Sequence, residues 1–406
     1  MNVIFIEPSF PANQREFTRA LHAAGANVIG IGERPVDYLS SDVKSWLADY
    51  YQVRSVVHEP SLLAAVKAIQ GKVWVDRLEA TVEAHIMAAA SVREATGIPG
   101  TSVQTAYLCR DKPAMKDVLR KAGISCAQST RAESPQDARD FVAAVGYPVI
   151  LKPPAGAGAA GTYRVRDDER LEQVIKECGL ANGVAVAIEE FIEGHEGFID
   201  TLTINGHVEH EFITHYYPNV LEAMRTRWIS PQMVATNRID EPGYREVREM
   251  TREVISILEI GTSATHMEWF FGPKGLKFSE IGCRPPGVCQ WDVYNAANEF
   301  DLYYEWASAI THGRIASRPS RRFSAGMIAL RPDRDGRISG YSGVDEINRR
   351  YGDNIVAAHL PDPGTPTQPV EAGYMANAWL RIRHPDYDVL RGIMNDVGET
   401  LKVHAR

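Results

Sequence analysis

Over the first 98 residues, short apolar runs alternate with amphipathic stretches. The runs NVIFIE, ANVIGIG, VRSVVH and KVWVD read as strands, and helix-like segments separate them. That alternation predicts a parallel sheet covered by helices. In EPSLLAAVKAIQG, Pro60 suits a first helical turn, Leu62, Leu63, Val66 and Ile69 form one apolar stripe, and Gly71 marks the end.

TGIPGTS at 96–102 is a turn cluster and the first candidate boundary. A helix, KPAMKDVLRKAG, follows. GYPVILKPPAGAGAAGTYRV then runs from a strand into a loop of glycine and alanine directly after Lys152, and out into another strand. VAVAIEEFIEG reads as a strand, and FIDTLTINGHVEHEFITHYY as a hairpin turned at Asn205-Gly206. From about 316, AGMIAL and ANAWLRI read as strands and LPDPGTPTQP as a proline-rich loop, which predicts a packed last lobe.

A second hairpin, ATHMEWFFGPKGLKFSEIGCR, places chemistry on one face. Pro273 and Gly275 predict a three-residue loop that pairs Gly272 with Leu276. This register sets Glu268 opposite Glu280 and His266 opposite Gly282, with Arg284 on the same face. Two ionised carboxylates with Cβ atoms about 5 Å apart repel by roughly 3 kcal/mol at an effective dielectric near 20. A divalent cation with oxygen ligands offsets that repulsion, with water or phosphate filling its other positions.

Composition narrows the classes. The chain has 406 residues, is 44% hydrophobic and carries a net charge of -8, which suits a globular protein and argues against nucleic acid as a partner. The five cysteines show no CxxC pair or zinc spacing and read as thiols of a reducing cytoplasm. The apolar run at the N-terminus is too short for a signal peptide, and no stretch reaches membrane-spanning length, so a cytoplasmic protein without membrane contact is expected. No Ser-His-Asp set, Walker loop or dinucleotide fingerprint is present; IEPSFPAN stands where a glycine-rich turn would follow the first strand.

Taken in order, these elements resemble the ATP-grasp superfamily over roughly residues 1–315. CRDKPAMKDVLRKAGIS resembles the family's opening helix with its first phosphate-binding lysine, Lys112. YPVILKPPAGAGAAGTYRV is similar to the second lysine and phosphate loop, Lys152 with Gly156, Gly158 and Gly161. IEEFIEGHEGFIDT resembles the adenine hinge and ribose acid. By that resemblance Glu189 accepts from the adenine amino group, the backbone of Phe191 or Ile192 meets the base edge, and Glu196 holds the ribose hydroxyls. HMEWFFGPKGLKFSEIGCR resembles the magnesium carboxylates, Glu268 and Glu280, with the final arginine, Arg284. The family pattern there is acid, any residue, asparagine, any residue, arginine; here Gly282 replaces the asparagine.

The resemblance implies an α/β chain with the ATP-grasp fold. Its parts are an N-terminal parallel α/β domain (1–98), the opening helix with a small mobile lid subdomain (99–190), a central mixed α+β catalytic lobe (191–315) and a C-terminal lobe (316–406). It implies ATP and Mg2+, with Mn2+ as a substitute, and small-molecule carboxylate and amine substrates. A homodimer is the default oligomer. Lys152, Arg225, Arg227 and Arg284 are the expected catalytic cations, although Arg225 and Arg227 fit a basic surface segment equally well and Arg284 fits a structural ion pair. His266 reads either as a structural histidine or as a group filling part of the volume of the missing asparagine and orienting metal-bound water or a carboxylate. Trp291 reads as pocket lining or core.

The implied activity is ATP-dependent carboxylate–amine ligation through an acylphosphate, releasing ADP and phosphate. The EIGCRPPG ending is more similar to the L-amino-acid ligases than to the purine-pathway enzymes or biotin carboxylase, which stay as alternatives beside simple phosphotransfer and a nucleotide-binding regulator.

Overall fold

The computed structural model describes residues 1–154 and 161–406. Strands β1 (Asn2–Ile6), β2 (Asn27–Gly32), β3 (Leu47–Gln52) and β4 (Arg77–Glu79) form the N-terminal parallel sheet, in the order β3-β2-β1-β4. Two of the four runs read as strands are not strands. VRSVVH is a loop anchored by buried Val53 and Val56, and KVWVD leads into β4 with Val75 buried but Val73 and Trp74 exposed. The true third strand, LADYYQ, lies at the sheet edge with no fully buried residue, so its sequence carries no apolar face to read. The helix over EPSLLAAVKAIQ runs Glu59–Gln70 and buries Leu62, Val66 and Ile69.

A second, antiparallel sheet holds β5 (Ser129–Ala132), β6 (Val149–Lys152), β7 (Tyr163–Val165) and β8 (Val186–Glu190), in the order β5-β8-β6-β7. Val149 and Leu151 on β6, with Val186 and Ile188 on β8, face a core shared with the helix Asp168–Glu177. The two-residue period of a strand sends Lys152 and Glu189 to the opposite face.

The remaining strands are β9 (His195–Ile204), β10 (His207–Tyr217), β11 (Gln232–Ala235), β12 (Ser263–Gly272), β13 (Gly275–Gly282), β14 (Ser324–Leu330), β15 (Ile338–Ser342), β16 (Ile355–His359), β17 (Ala378–His384) and β18 (Lys402–Ala405). Eight of them make one sheet, β13-β12-β9-β10-β11-β14-β17-β16, while β15 pairs with β18. The large sheet crosses the 315/316 boundary expected from the sequence, because β14, β16 and β17 extend it rather than starting a sheet of their own. The Asn205-Gly206 turn has φ of 51° and 82°, as a tight hairpin turn requires.

The β12–β13 hairpin reaches the expected pairing by a different route. Gly272 pairs with Gly275, not Leu276, so the loop is one residue shorter than expected. A bulge then leaves Ser279 unpaired and restores Glu268 opposite Glu280 and His266 opposite Gly282. The core explains the bulge. Leu276, Phe278 and Ile281 all pack with Met267 and Trp269, and only an extra residue between Phe278 and Ile281 keeps all three on that face. The same step turns Glu280 away from the core and onto the face of Glu268.

On the core side of β9 and β10, His195 Nε2 lies 2.9 Å from His215 Nδ1, and His215 Nε2 lies 2.8 Å from the Tyr244 hydroxyl. Burial, then the charges of His195 and Arg391, push His215 down to about 3. Below its ordinary value of 6.5 the unfolded chain gains a proton that the folded chain refuses, so stability falls as pH drops from there towards 3. The expected outcome, read from urea midpoints between about pH 7 and pH 4.5, is a loss approaching about 1.4 kcal/mol per pH unit from this group, which His215→Gln removes.

Candidate active site

The helix Lys112–Lys121 begins at Asp111, whose side chain accepts the Ala114 N–H at 3.0 Å, and Pro113 occupies its first turn. Met115 and Leu119 bury one side of this helix in the core behind β12 and β13. Lys112 and Lys116, one turn apart, lie on another face. The Lys112 N–H donates to the Pro154 carbonyl at 3.0 Å, which ties the start of the helix to the segment after Lys152.

Five side chains of alternating charge type lie between the four-stranded antiparallel sheet and the hairpin. Lys116 and Lys152 each contact one oxygen of Glu189. Lys152 lies 4.0 Å from Glu280 Oε2, and Lys112 lies 3.1 Å from the same oxygen. Burial alone would raise Glu189, but Lys116 and Lys152 hold it down at about 2. Glu280 is lowered in the same way, Lys112 and Lys152 outweighing burial, while Lys152 is raised because Glu189 and Glu280 outweigh its own desolvation.

Glu268 has different company. His266 Nε2 is 3.5 Å from Glu268 Oε1, and the Tyr216 hydroxyl donates to that oxygen at 3.5 Å. His266 Nδ1 is 2.6 Å from Asp200 Oδ1, and Tyr294 donates to the other Asp200 oxygen. Burial would lower His266; the charge and hydrogen bond of Asp200, then Glu268, lift it to about 9. It is therefore an imidazolium beside Glu268 at neutral pH.

Arg284 turns towards the N-terminal domain, where its Nε donates to Glu83 Oε2 at 2.7 Å; Arg110 Nε lies 3.2 Å from Glu83 Oε1. Glu83, Cys109, Arg110, Lys112, His266, Glu280, Gly282 and Arg284 line a cavity of about 20 Å³. That is room for one water. A Cβ on Gly282 would meet its nearest atoms, Arg284 Cγ and Glu83 Oε2, at 3.6 Å, so the glycine is not forced by crowding. This water-sized cavity lies beside the position where the family pattern has asparagine.

The other expected residues divide. Gly161 has φ of 67° and would bring a Cβ to 3.2 Å from Pro153 Cγ, so a side chain there is strained. Gly156 and Gly158 lie outside the described residues. Glu196 is buried: Val220 N–H donates to its Oε2 at 2.7 Å, yet burial and the nearby Glu268 and Glu280 raise it to about 8. Phe191 donates its N–H to the Pro148 carbonyl at 3.2 Å, and Arg164 stacks 3.7 Å over its ring.

Three further residues are held by named neighbours. Both oxygens of Glu189 contact lysines, Lys116 and Lys152. Arg227 donates to Asp335 Oδ1 at 2.7 Å and to the Pro332 carbonyl at 3.5 Å, which directs it to the C-terminal segment and away from the carboxylates. Trp291 is core, packed 5.1 Å from the Phe17 ring. Arg225 is exposed and donates to the Thr162 carbonyl, at the end of the glycine loop. Sequence reading missed Lys116, Glu83, Arg110 and Asp200. Only Lys116 had a signal, its spacing of four from Lys112 on an amphipathic helix; the others depend on contacts between distant segments.

The arrangement fits a magnesium nucleotide. Two facing carboxylates offer the oxygen donors a hard cation takes, and among the described residues no group of three or more His, Cys, Asp or Glu side chains is placed to hold a metal. The family model of the ATP-grasp domain matches residues 117–296. The chain carries an ATP-grasp domain and has the ATP-grasp fold.

Its relatives include amino-acid ligases and carbamoyl phosphate synthase large chains. The L-arginine-specific L-amino acid ligase of Bacillus subtilis is 27% identical over 218 residues, 52% of this chain and 52% of that protein. The alanine–anticapsin ligase of Bacillus subtilis strain 168 is 25% identical over 213 residues, 48% of this chain and 44% of that protein. The chain thus spans about half the length of the curated relatives it matches. The crystal structure of an L-amino acid ligase from Bacillus licheniformis superposes with a TM-score of 0.78 at 17% identity, covering 100% of this chain and 98% of that one.

Gly282→Asn, whose Cβ meets no atom nearer than 3.6 Å, adds an amide to the strand end that carries Glu280. It is expected to tighten Mg2+ binding several-fold in a magnesium titration of ADP affinity; an unchanged magnesium dependence contradicts this role for the position.

Proposed function

We propose that the protein is an ATP-dependent carboxylate–amine ligase acting on amino-acid-like substrates. The observation that carries this reading is the convergence of Lys112 and Lys152 on Glu280, with Glu268 directly opposite and Arg284 at the end of the same strand pair. The amino-acid ligases among the relatives favour this branch over the carboxylases.

In this reading Lys112 and Lys152 neutralise the nucleotide phosphates as charge moves, and Gly161 with Gly156 and Gly158 covers them. Ile192 meets the adenine edge, and Glu196 the ribose. Glu268 and Glu280 hold Mg2+, or Mn2+ in its place, which supplies further neutralisation of the phosphates. Arg284, steadied by Glu83, binds the substrate carboxylate or the transferring phosphoryl group through its planar fork. Arg225 approaches from the far side of the glycine loop.

A substrate carboxylate oxygen attacks the terminal phosphorus, and the bond to ADP breaks. The amine nitrogen then attacks the acyl carbon, phosphate leaves with the former carboxylate oxygen, and the nitrogen gives up its proton. The acylphosphate is required because a free carboxylate is a poor electrophile. Among the described residues no helix is long and apolar enough to cross a membrane. Cytoplasmic placement and homodimerisation complete the proposal.

Release of ADP and phosphate, measured over pairs of amino acids, is expected to require both a carboxylate and an amine donor, with an amide product by mass spectrometry. ADP release with a stable phosphorylated carboxylate overturns ligation.

A further inference from the structure

The mechanism above leaves one deeply buried charge unused. Lys116 is 2% exposed, and among the described residues Glu189 is its one carboxylate partner within ion-pair distance. Its helix is fixed by Met115 and Leu119 in the core, so the ammonium cannot withdraw to solvent without moving the segment that also carries Lys112. Lys152 shares the same carboxylate from the other side and stands 4.0 Å from Glu280. To serve a nucleotide phosphate, Lys152 has to leave Glu189.

The cost of that departure depends on what Glu189 keeps. A buried carboxylate that loses its last cation is left uncompensated in a poorly solvated site, which is strongly unfavourable. With Lys116 in place, Glu189 retains a full positive charge after Lys152 moves. Without it, Lys152 is the carboxylate's one counter-ion and is trapped there.

We propose that Lys116 is a positioning residue of the nucleotide site: by holding one oxygen of Glu189, it frees Lys152 to transfer to the phosphates. The proposal rests on the reading of this site as a nucleotide site. It assigns Glu189 a role as a holding station for Lys152 in the empty enzyme, and Lys116 as the charge that makes the station releasable.

The test is MgADP binding by isothermal titration calorimetry to the full chain and to Lys116→Met, Glu189→Gln and the double variant. Lys116→Met is expected to weaken MgADP about tenfold or more. Adding Glu189→Gln is expected to restore most of the loss, because the carboxylate that traps Lys152 is gone. A residue that merely props up the fold, or touches the nucleotide, gives a double variant at least as weak as the single. Lys116→Met binding within twofold of the parent, or no recovery in the double variant, overturns the proposal. If Lys116→Met does not fold, the decision passes to Glu189→Gln against the double variant: equal affinity supports the proposal, and a weaker double variant overturns it. A parent protein that binds neither MgADP nor MgATP overturns the nucleotide reading itself, a result distinct from normal binding that ignores Lys116.

Discussion

Glu268 and Glu280 face each other across a hairpin, and two carboxylates so placed stay ionised only if cations stand beside them. Much of the molecule's middle follows from supplying those cations. Lys112 comes from a helix whose other side is core, Lys152 from the end of a strand in a separate sheet, and His266 from two residues before Glu268 on β12. Each is held by a further partner, so the charges form a continuous alternating set. In the reading proposed above, a magnesium nucleotide entering such a site would find Lys112 beside Glu280, while Lys152 would exchange Glu189 for the phosphates.

The hairpin that creates the pair is shaped by the core behind it. Leu276, Phe278 and Ile281 must share one face, and their spacing admits that only with the bulge at Ser279. Packing on one side of the strand therefore fixes the chemistry on the other. The N-terminal domain joins the site through a single acid, Glu83, which binds both Arg284 and Arg110. That contact, like the Arg19–Asp301 ion pair, ties the N-terminal domain to the rest of the chain.

How much of this the sequence disclosed depends on whether a signal was local. The Asn205-Gly206 turn, the helix at Glu59–Gln70 and the strands around Lys152 and Glu189 have patterns set by their own residues, and all were legible. The edge strand Leu47–Gln52 was not, because it buries nothing. The Glu268–Glu280 pairing was read correctly through two compensating errors, a loop one residue too long and a bulge left out. The broken alternation of LKFSEI, apolar at 276, 278 and 281, was the available sign of that bulge. The partners of Glu189, Lys116 and Lys152, were not legible, because they lie 73 and 37 positions away along the chain and no spacing rule brings them together. Gly282 departs from the family pattern in the sequence itself; its cavity, lined by Glu83, Arg110, Lys112, Glu280 and Arg284 together with Met115 and Ile281, depends on segments far apart along the chain.

The central claim is that the facing glutamates hold the metal of a bound nucleotide. ADP affinity measured as a function of Mg2+ concentration, in the parent protein and in Glu268→Gln, tests it most directly. The account predicts that Mg2+ strengthens ADP binding markedly in the parent and far less in the variant, while affinity without metal stays similar in both. An equal magnesium enhancement in the two proteins would contradict it.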